Sequence, residues 1–141
     1  VRLGFFLQEV RVSAYAGLIK QAQLAIQRAQ AAYSGFPVGA ALLCQNGLIF
    51  TGCNVESSSY GLTICAERVA LTKALSEGET KFKAIAIATP QKPLCPPCGA
   101  CRQLLWDYAR DIDVVLAVEN EFQILTLHEL LPHAFDDRFL P

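Results

Sequence analysis

A chain of 141 residues is long enough for one core and too short for two ordinary domains, so a single domain over 1–141, with its core at about 13–135, is expected. Hydrophobic residues make up 52 %, which suggests surface buried between subunits as well as within one, hence an oligomer. The net charge of −1, without a Lys/Arg run, excludes the basic stripe of a nucleic-acid binder, and no apolar stretch approaches the ~20 residues that cross a bilayer. Leu3 to Leu7, followed by Glu9, is too short for a signal-peptide core, so a cytoplasmic protein is expected, in whose reducing compartment six cysteines mean metal ligation or burial rather than disulfides. The absence of Met and the start at Val1 point to a missing or altered leader.

From Ala14 to Ala32, Leu18, Ala22, Ala25, Ile26 and Ala29 recur at spacings of three and four, the pattern of an amphipathic helix that Ser13 would cap. After Pro37, two apolar runs, 38–44 and 48–53, flank Asn46-Gly47 and predict a β-hairpin. A second helix is expected from near Thr63 to Ser76, with Gly78 as its stop. A strand at 84–88 follows, then a third helix with Pro96 or Pro97 in its first turn, reaching about Tyr108. Val114 to Val118 reads as a second strand buried on both faces. A short strand, 122–125, leads into Thr126-Leu127-His128-Glu129, a capping box for a last helix ended by Pro132. The order α-β-β-α-β-α-β-β-α predicts an α/β fold, a three-layer α/β/α sandwich on a mixed five-stranded sheet.

Two motifs carry the chemistry: Cys65-Ala66-Glu67 and Pro97-Cys98-Gly99-Ala100-Cys101. Three thiols, Cys65, Cys98 and Cys101, with Glu67 beside them, read as a catalytic zinc site that keeps its fourth position for water. Cys98 and Cys101 lie one helical turn apart and can share a metal. Cys65 and Glu67 would stand about 200° apart on a helix, so the metal must lie off the helix tip, with Glu67 passing beside it toward the water. A zinc ion with three thiolates carries net negative charge, and Arg68, with Arg102 or its neighbour Gln103 as a further candidate, would offset it near the sulfurs. Cys95-Pro96-Pro97-Cys98 is a competing clamp, but its two prolines bar the helical turn that Gly99-Ala100 permits. Cys44 and Cys53, on strands, read as small buried hydrophobes, and a four-cysteine structural site completed by Cys53 or Cys95 is the plain alternative. His128 and His133 are five apart with Pro132 between them, which turns the rings about 140° apart and excludes a zincin motif.

Cys-Ala-Glu and Pro-Cys-x-x-Cys match the signature of zinc nucleobase deaminases. Together with Phe36-Pro37-Val38-Gly39-Ala40-Ala41, Asn54-Val55-Glu56, Cys98-Gly99-Ala100-Cys101-Arg102-Gln103 and Glu129-Leu130-Leu131-Pro132, they make the chain resemble the short-chain homotetrameric cytidine deaminases from about Tyr15 to Phe135. That resemblance implies one Zn²⁺ per subunit and hydrolytic deamination of cytidine and 2′-deoxycytidine. It also implies that Glu67 moves the water's proton to N3 and then assists the departing ammonia. Phe36 would pack on the pyrimidine, Asn54 and Glu56 would meet the ribose hydroxyls, and the Ala66 N–H the base carbonyl. Tyr60 and Phe135 would be lent across a subunit interface. Ser57-Ser58-Ser59 departs from the family, which commonly has Asn after the ribose-binding Glu, and implies a differently shaped loop. The rival substrates are a modified cytosine nucleoside such as blasticidin S, and a polynucleotide, which the lack of cationic surface disfavours. A zinc-stabilised scaffold and a redox CxxC protein are the rivals from other classes.

Overall fold

A computed structural model describes the backbone of residues 2–141 and the side chains of Arg11 and residues 14–141. The elements are α1 (Arg2–Ala25), β1 (Gly39–Cys44), β2 (Ile49–Cys53), α2 (Ala66–Ser76), β3 (Phe82–Ala88), α3 (Gly99–Ala109), β4 (Asp113–Ala117), β5 (Phe122–Thr126) and α4 (Leu127–Leu130). Short 3₁₀ turns at Ile26–Arg28, Tyr60–Leu62 and Asp137–Phe139 complete them. The five strands form one mixed sheet in the order β2-β1-β3-β4-β5, in which only β3 and β4 pair in parallel. That pair is joined through α3, the helical crossover a parallel connection requires.

The two faces of the sheet bury different side chains. Against α1 the sheet presents mostly small residues, Ala41, Ala84, Ala86, Ala88, Val115 and Ala117, and α1 answers with Tyr15, Leu18 and Ala22. On the other face Leu42, Ile85, Ile87, Val114 and Leu116 meet Ala66, Ala70, Leu71 and Ala74 of α2 and Leu105, Trp106 and Ala109 of α3. β3 and β4 are buried on both sides, as their continuous apolar runs predict. Among the described residues no helix is long and apolar enough to cross a membrane.

Local chemistry explains most boundaries. The hairpin turn uses Gln45, Asn46 and Gly47: the Gly47 N–H donates to the Cys44 carbonyl (3.0 Å), and Gly47 takes φ +91°, which a side chain would resist. α2 ends in paired bonds from Gly78 N–H to Leu75 O and from Glu79 N–H to Ala74 O, both 3.0 Å. Thr126 and Glu129 form the expected capping box on α4.

Three helices differ in their boundaries from the sequence reading. α1 starts at Arg2 and ends at Ala25 rather than Ala32, and Ser13 lies inside it, its side chain outside the described residues. The early end has a cause: Gln30 leaves the helix to bond the Asn54 carbonyl (2.9 Å) and the Glu56 N–H (3.0 Å). α2 starts at Ala66 rather than near Thr63, because Ile64 is paired with Val55 through two 2.9 Å bonds. α3 starts at Gly99, so Pro96 and Pro97 precede the helix instead of occupying its first turn.

Candidate active site

β2 and β3 both run antiparallel to β1, which lies between them, so they point the same way. The segments after their carboxyl ends lead into α2 and α3, and the N-termini of both helices reach the same edge of the sheet, the usual place for a site in an α/β fold. Close packing fixes the first turn of α2 over β2. A Cβ on Gly52 would lie 2.4 Å from the Ala66 carbonyl oxygen and 2.6 Å from the Ala70 nitrogen, so only glycine allows this approach.

The two helix starts present sulfur in the same manner. Cys65 and Cys98 are the N-cap residues of α2 and α3, extended at ψ 152° and 164°, and neither side chain caps its own helix. Cys101 is the third residue of α3, where an N-cap side chain naturally reaches, and its Sγ lies 3.4 Å from Cys98 Sγ. Cys65 Sγ is 3.7 Å from Cys98 Sγ, and the three ligand atoms all lie within 4.8 Å of one another. Cys65 thus stands at the tip of α2, outside the helix, while Glu67 is its second residue, so the 200° separation expected of two helical residues does not apply.

Glu67 is 5 % exposed, and its Oε2 lies 3.7 Å from Cys101 Sγ. Burial pushes its carboxyl up to about 7. Cys65, hydrogen-bonded to Cys101 and to Arg68, is brought down to about 5, whereas Cys101 is pushed up by its bond to Cys65 and by burial. Arg68 Nη2 donates to Cys65 Sγ (3.7 Å) and to the Thr63 carbonyl (3.2 Å), as the sequence suggested. Arg102 does not face the sulfurs: its Nε and Nη1 donate to the carbonyls of Pro97 and Leu130, both at 2.7 Å. Gln103 is likewise engaged elsewhere, with Asp107 and the Phe135 carbonyl.

The remaining cysteines separate. Cys95 is half-buried and outside the sulfur cluster; its thiol is pushed up by burial and then by the nearby charges of Glu67, Cys65 and Cys98. Cys44 is buried, as expected, while Cys53 is only half-buried and borders a cleft with Leu24, Val69 and Lys73. His128 bonds Asp111 at 2.8 Å and contacts Trp106 edge-on, and His133 sits in a turn with φ 53°.

The other sequence candidates surround the sulfurs unevenly. Ala66 is fully buried, and as the first residue of α2 its N–H has no intrahelical acceptor. Asn54 is buried, donating Nδ2–H to the Phe36 carbonyl (2.9 Å) and accepting the Val38 N–H (2.9 Å). Glu56 accepts the N–H groups of Tyr33 and Ser34, each at 3.0 Å, and the Ser34 hydroxyl; that hydroxyl and the two amides hold its carboxyl below the usual range. Sequence reasoning did not find this loop-holding role of Asn54 and Glu56, since all their partners but the Ser34 hydroxyl are backbone groups with no sequence signature. Phe36 is 48 % exposed, and Tyr60 and Phe135 are more so. Within the chain Tyr60 touches Tyr33 and Phe135 stacks on Phe139.

The sulfur spacing fits zinc. Zinc–sulfur bonds of about 2.3 Å in a tetrahedron give sulfur–sulfur edges of about 3.8 Å, close to the 3.4 and 3.7 Å found. Three thiols and a buried carboxylate at two helix N-termini thus define a zinc centre of the open, three-ligand class. Residues 13–118 match the family model of the cytidine and deoxycytidylate deaminase zinc-binding region. The chain is 48 % identical to a cytidine deaminase from Halalkalibacterium halodurans over 120 residues, 84 % of this chain and 91 % of that one. It is 50 % identical over 125 residues to a probable cytidine deaminase from Dictyostelium discoideum, 86 % and 84 % of the two chains. The crystal structure of a cytidine deaminase from Burkholderia pseudomallei superimposes with a TM-score of 0.83 at 42 % identity, covering 86 % of this chain and 98 % of that one. The chain belongs to the zinc-dependent cytidine and deoxycytidylate deaminase family.

Proposed function

We propose that this protein hydrolyses cytidine and 2′-deoxycytidine to uridine and 2′-deoxyuridine with release of ammonia, as one cytoplasmic domain serving pyrimidine salvage. The observation that carries this reading is the buried Glu67 carboxylate set against three clustered thiols at paired helix N-termini. Cys65, Cys98 and Cys101 would hold one Zn²⁺, whose Lewis acidity makes water ionisable near neutral pH. Glu67 takes a proton from the attacking water and delivers it to N3 as oxygen adds to C4. It then assists proton transfer to the leaving amino group, so that water is consumed and ammonia released. Burial serves this shuttle, since a carboxyl shielded from bulk water passes the proton it takes to the substrate rather than to solvent.

The remaining side chains orient the substrate. The Ala66 N–H meets the base carbonyl, Phe36 packs on the pyrimidine, and Asn54 and Glu56 meet the ribose with the acceptor and donor capacity their loop contacts leave free. Arg68 offsets the charge of three thiolates. Tyr60, 78 % exposed, and Phe135, 56 % exposed, serve a neighbouring subunit's pocket in a homotetramer.

Zinc-loaded protein mixed with cytidine should lose the cytosine absorbance and release one ammonia per uridine. Glu67→Ala should keep its zinc and lose about 10⁴-fold in turnover. Retained turnover would remove Glu67 from this role. Turnover on blasticidin S but on neither nucleoside would replace the substrate assignment.

A further inference from the structure

Ser34 lies in the turn that carries Phe36, and its one hydroxyl makes two bonds. It donates to Glu56 Oε2 and accepts the Phe36 N–H at 3.0 Å. Glu56 Oε1 is occupied by the N–H groups of Tyr33 and Ser34. A carboxylate offers about four acceptor positions, so one position on Oε2 remains for a ligand hydroxyl, and the Ser34 bond decides which. Phe36 is tied at both of its own backbone groups, the N–H to Ser34 and the carbonyl to Asn54 Nδ2 at 2.9 Å. Gly35, with φ +65°, completes the turn between them. Ser34 therefore joins the carboxylate of Glu56 directly to the backbone of Phe36.

We propose that Ser34 is a positioning residue, which sets the Glu56 carboxylate and the Phe36 ring as one unit for nucleoside binding. The inference rests on the reading above, in which both of those side chains meet the substrate. These contacts belong equally to ground and transition state, so losing them raises KM and spares kcat.

The test is steady-state kinetics on cytidine with zinc-loaded parent, Ser34→Ala, Ser34→Gly, Ser34→Thr, Glu56→Gln and the Ser34→Ala/Glu56→Gln pair. Both variants without the hydroxyl should raise KM about tenfold with kcat within about twofold, and Ser34→Thr should return KM to within about threefold of the parent. In the Glu56→Gln background Ser34→Ala should add about threefold or less, the non-additivity of groups acting through one another. An active parent whose KM moves less than about twofold in Ser34→Ala, or effects that multiply fully in the pair, overturns the role of Ser34 alone. A folded, zinc-loaded parent without turnover overturns the functional reading and this inference with it.

Discussion

Arg102 provides a quantitative test of how the sulfur loop is held. Its guanidinium joins the Pro97 carbonyl, one residue before Cys98, to the Leu130 carbonyl at the end of α4, with two bonds of 2.7 Å. Arg102→Met keeps most of the aliphatic stem but removes both charge-assisted bonds and leaves the carbonyl of the buried Pro97 without its donor. At about 1.5 kcal/mol for each bond the loss is about 3 kcal/mol. For 141 residues the unfolding entropy is about 0.3 kcal/mol per kelvin, so Tm should fall by about 10 °C. The same loop carries Cys98, so zinc should also leave faster to a chelator, with thiols becoming reactive earlier. Differential scanning fluorimetry and a thiol-reagent time course read both effects. An unchanged Tm and zinc release, with turnover reduced, would refute the staple and return Arg102 to the thiolate-neighbour role suggested by its place beside Cys101.

Two further substitutions probe the scaffold around the site. Gly52→Ala drives a methyl group to 2.4 Å from the Ala66 carbonyl, so the first turn of α2 must move; zinc content measured by metal analysis should fall together with turnover, and a fully loaded, active variant would show that the turn tolerates the shift. Asp136 is buried, accepts hydrogen bonds from Arg138 and from Trp106 Nε1 and faces Arg110 Nη1 as an ion pair at 3.6 Å, and the Arg138 bond holds its carboxyl well below the usual range. A depressed carboxyl stabilises the fold above its unfolded value, about 3.9, and loses that contribution as pH falls further. The Tm gap between parent and Asp136→Asn should thus be full at about pH 7 and narrow below about pH 4; a gap independent of pH would refute the ion-pair account.

The cluster of three thiols beside Glu67 was legible because its chemistry is local. Cys98 and Cys101 needed only their spacing and the prolines that exclude Cys95-Cys98, and Cys65-Ala66-Glu67 supplied the third sulfur and the carboxylate. The five strands, the hairpin at Asn46-Gly47 and the α4 capping box were legible for the same reason, since turn and cap residues act on their own neighbours.

What the sequence could not state are the distances that close through space. Helix periodicity required the metal to lie off the tip of α2 with Cys65 inside the helix, whereas the bridge between Val55 and Ile64 delays α2 until Ala66 and leaves Cys65 as its cap. The same non-local pairing takes Gln30 out of α1 and shortens the helix from its expected end at Ala32. Asn54, Glu56 and Arg102 read as a ligand pair and a charge neighbour, and the backbone groups that also hold them in place are recorded by no side-chain pattern. The residues alone therefore determined which atoms can bind metal and move protons. The antiparallel pairing of β2 and β3 with β1 decided that two helix starts, far apart in the chain, would meet at one edge of the sheet.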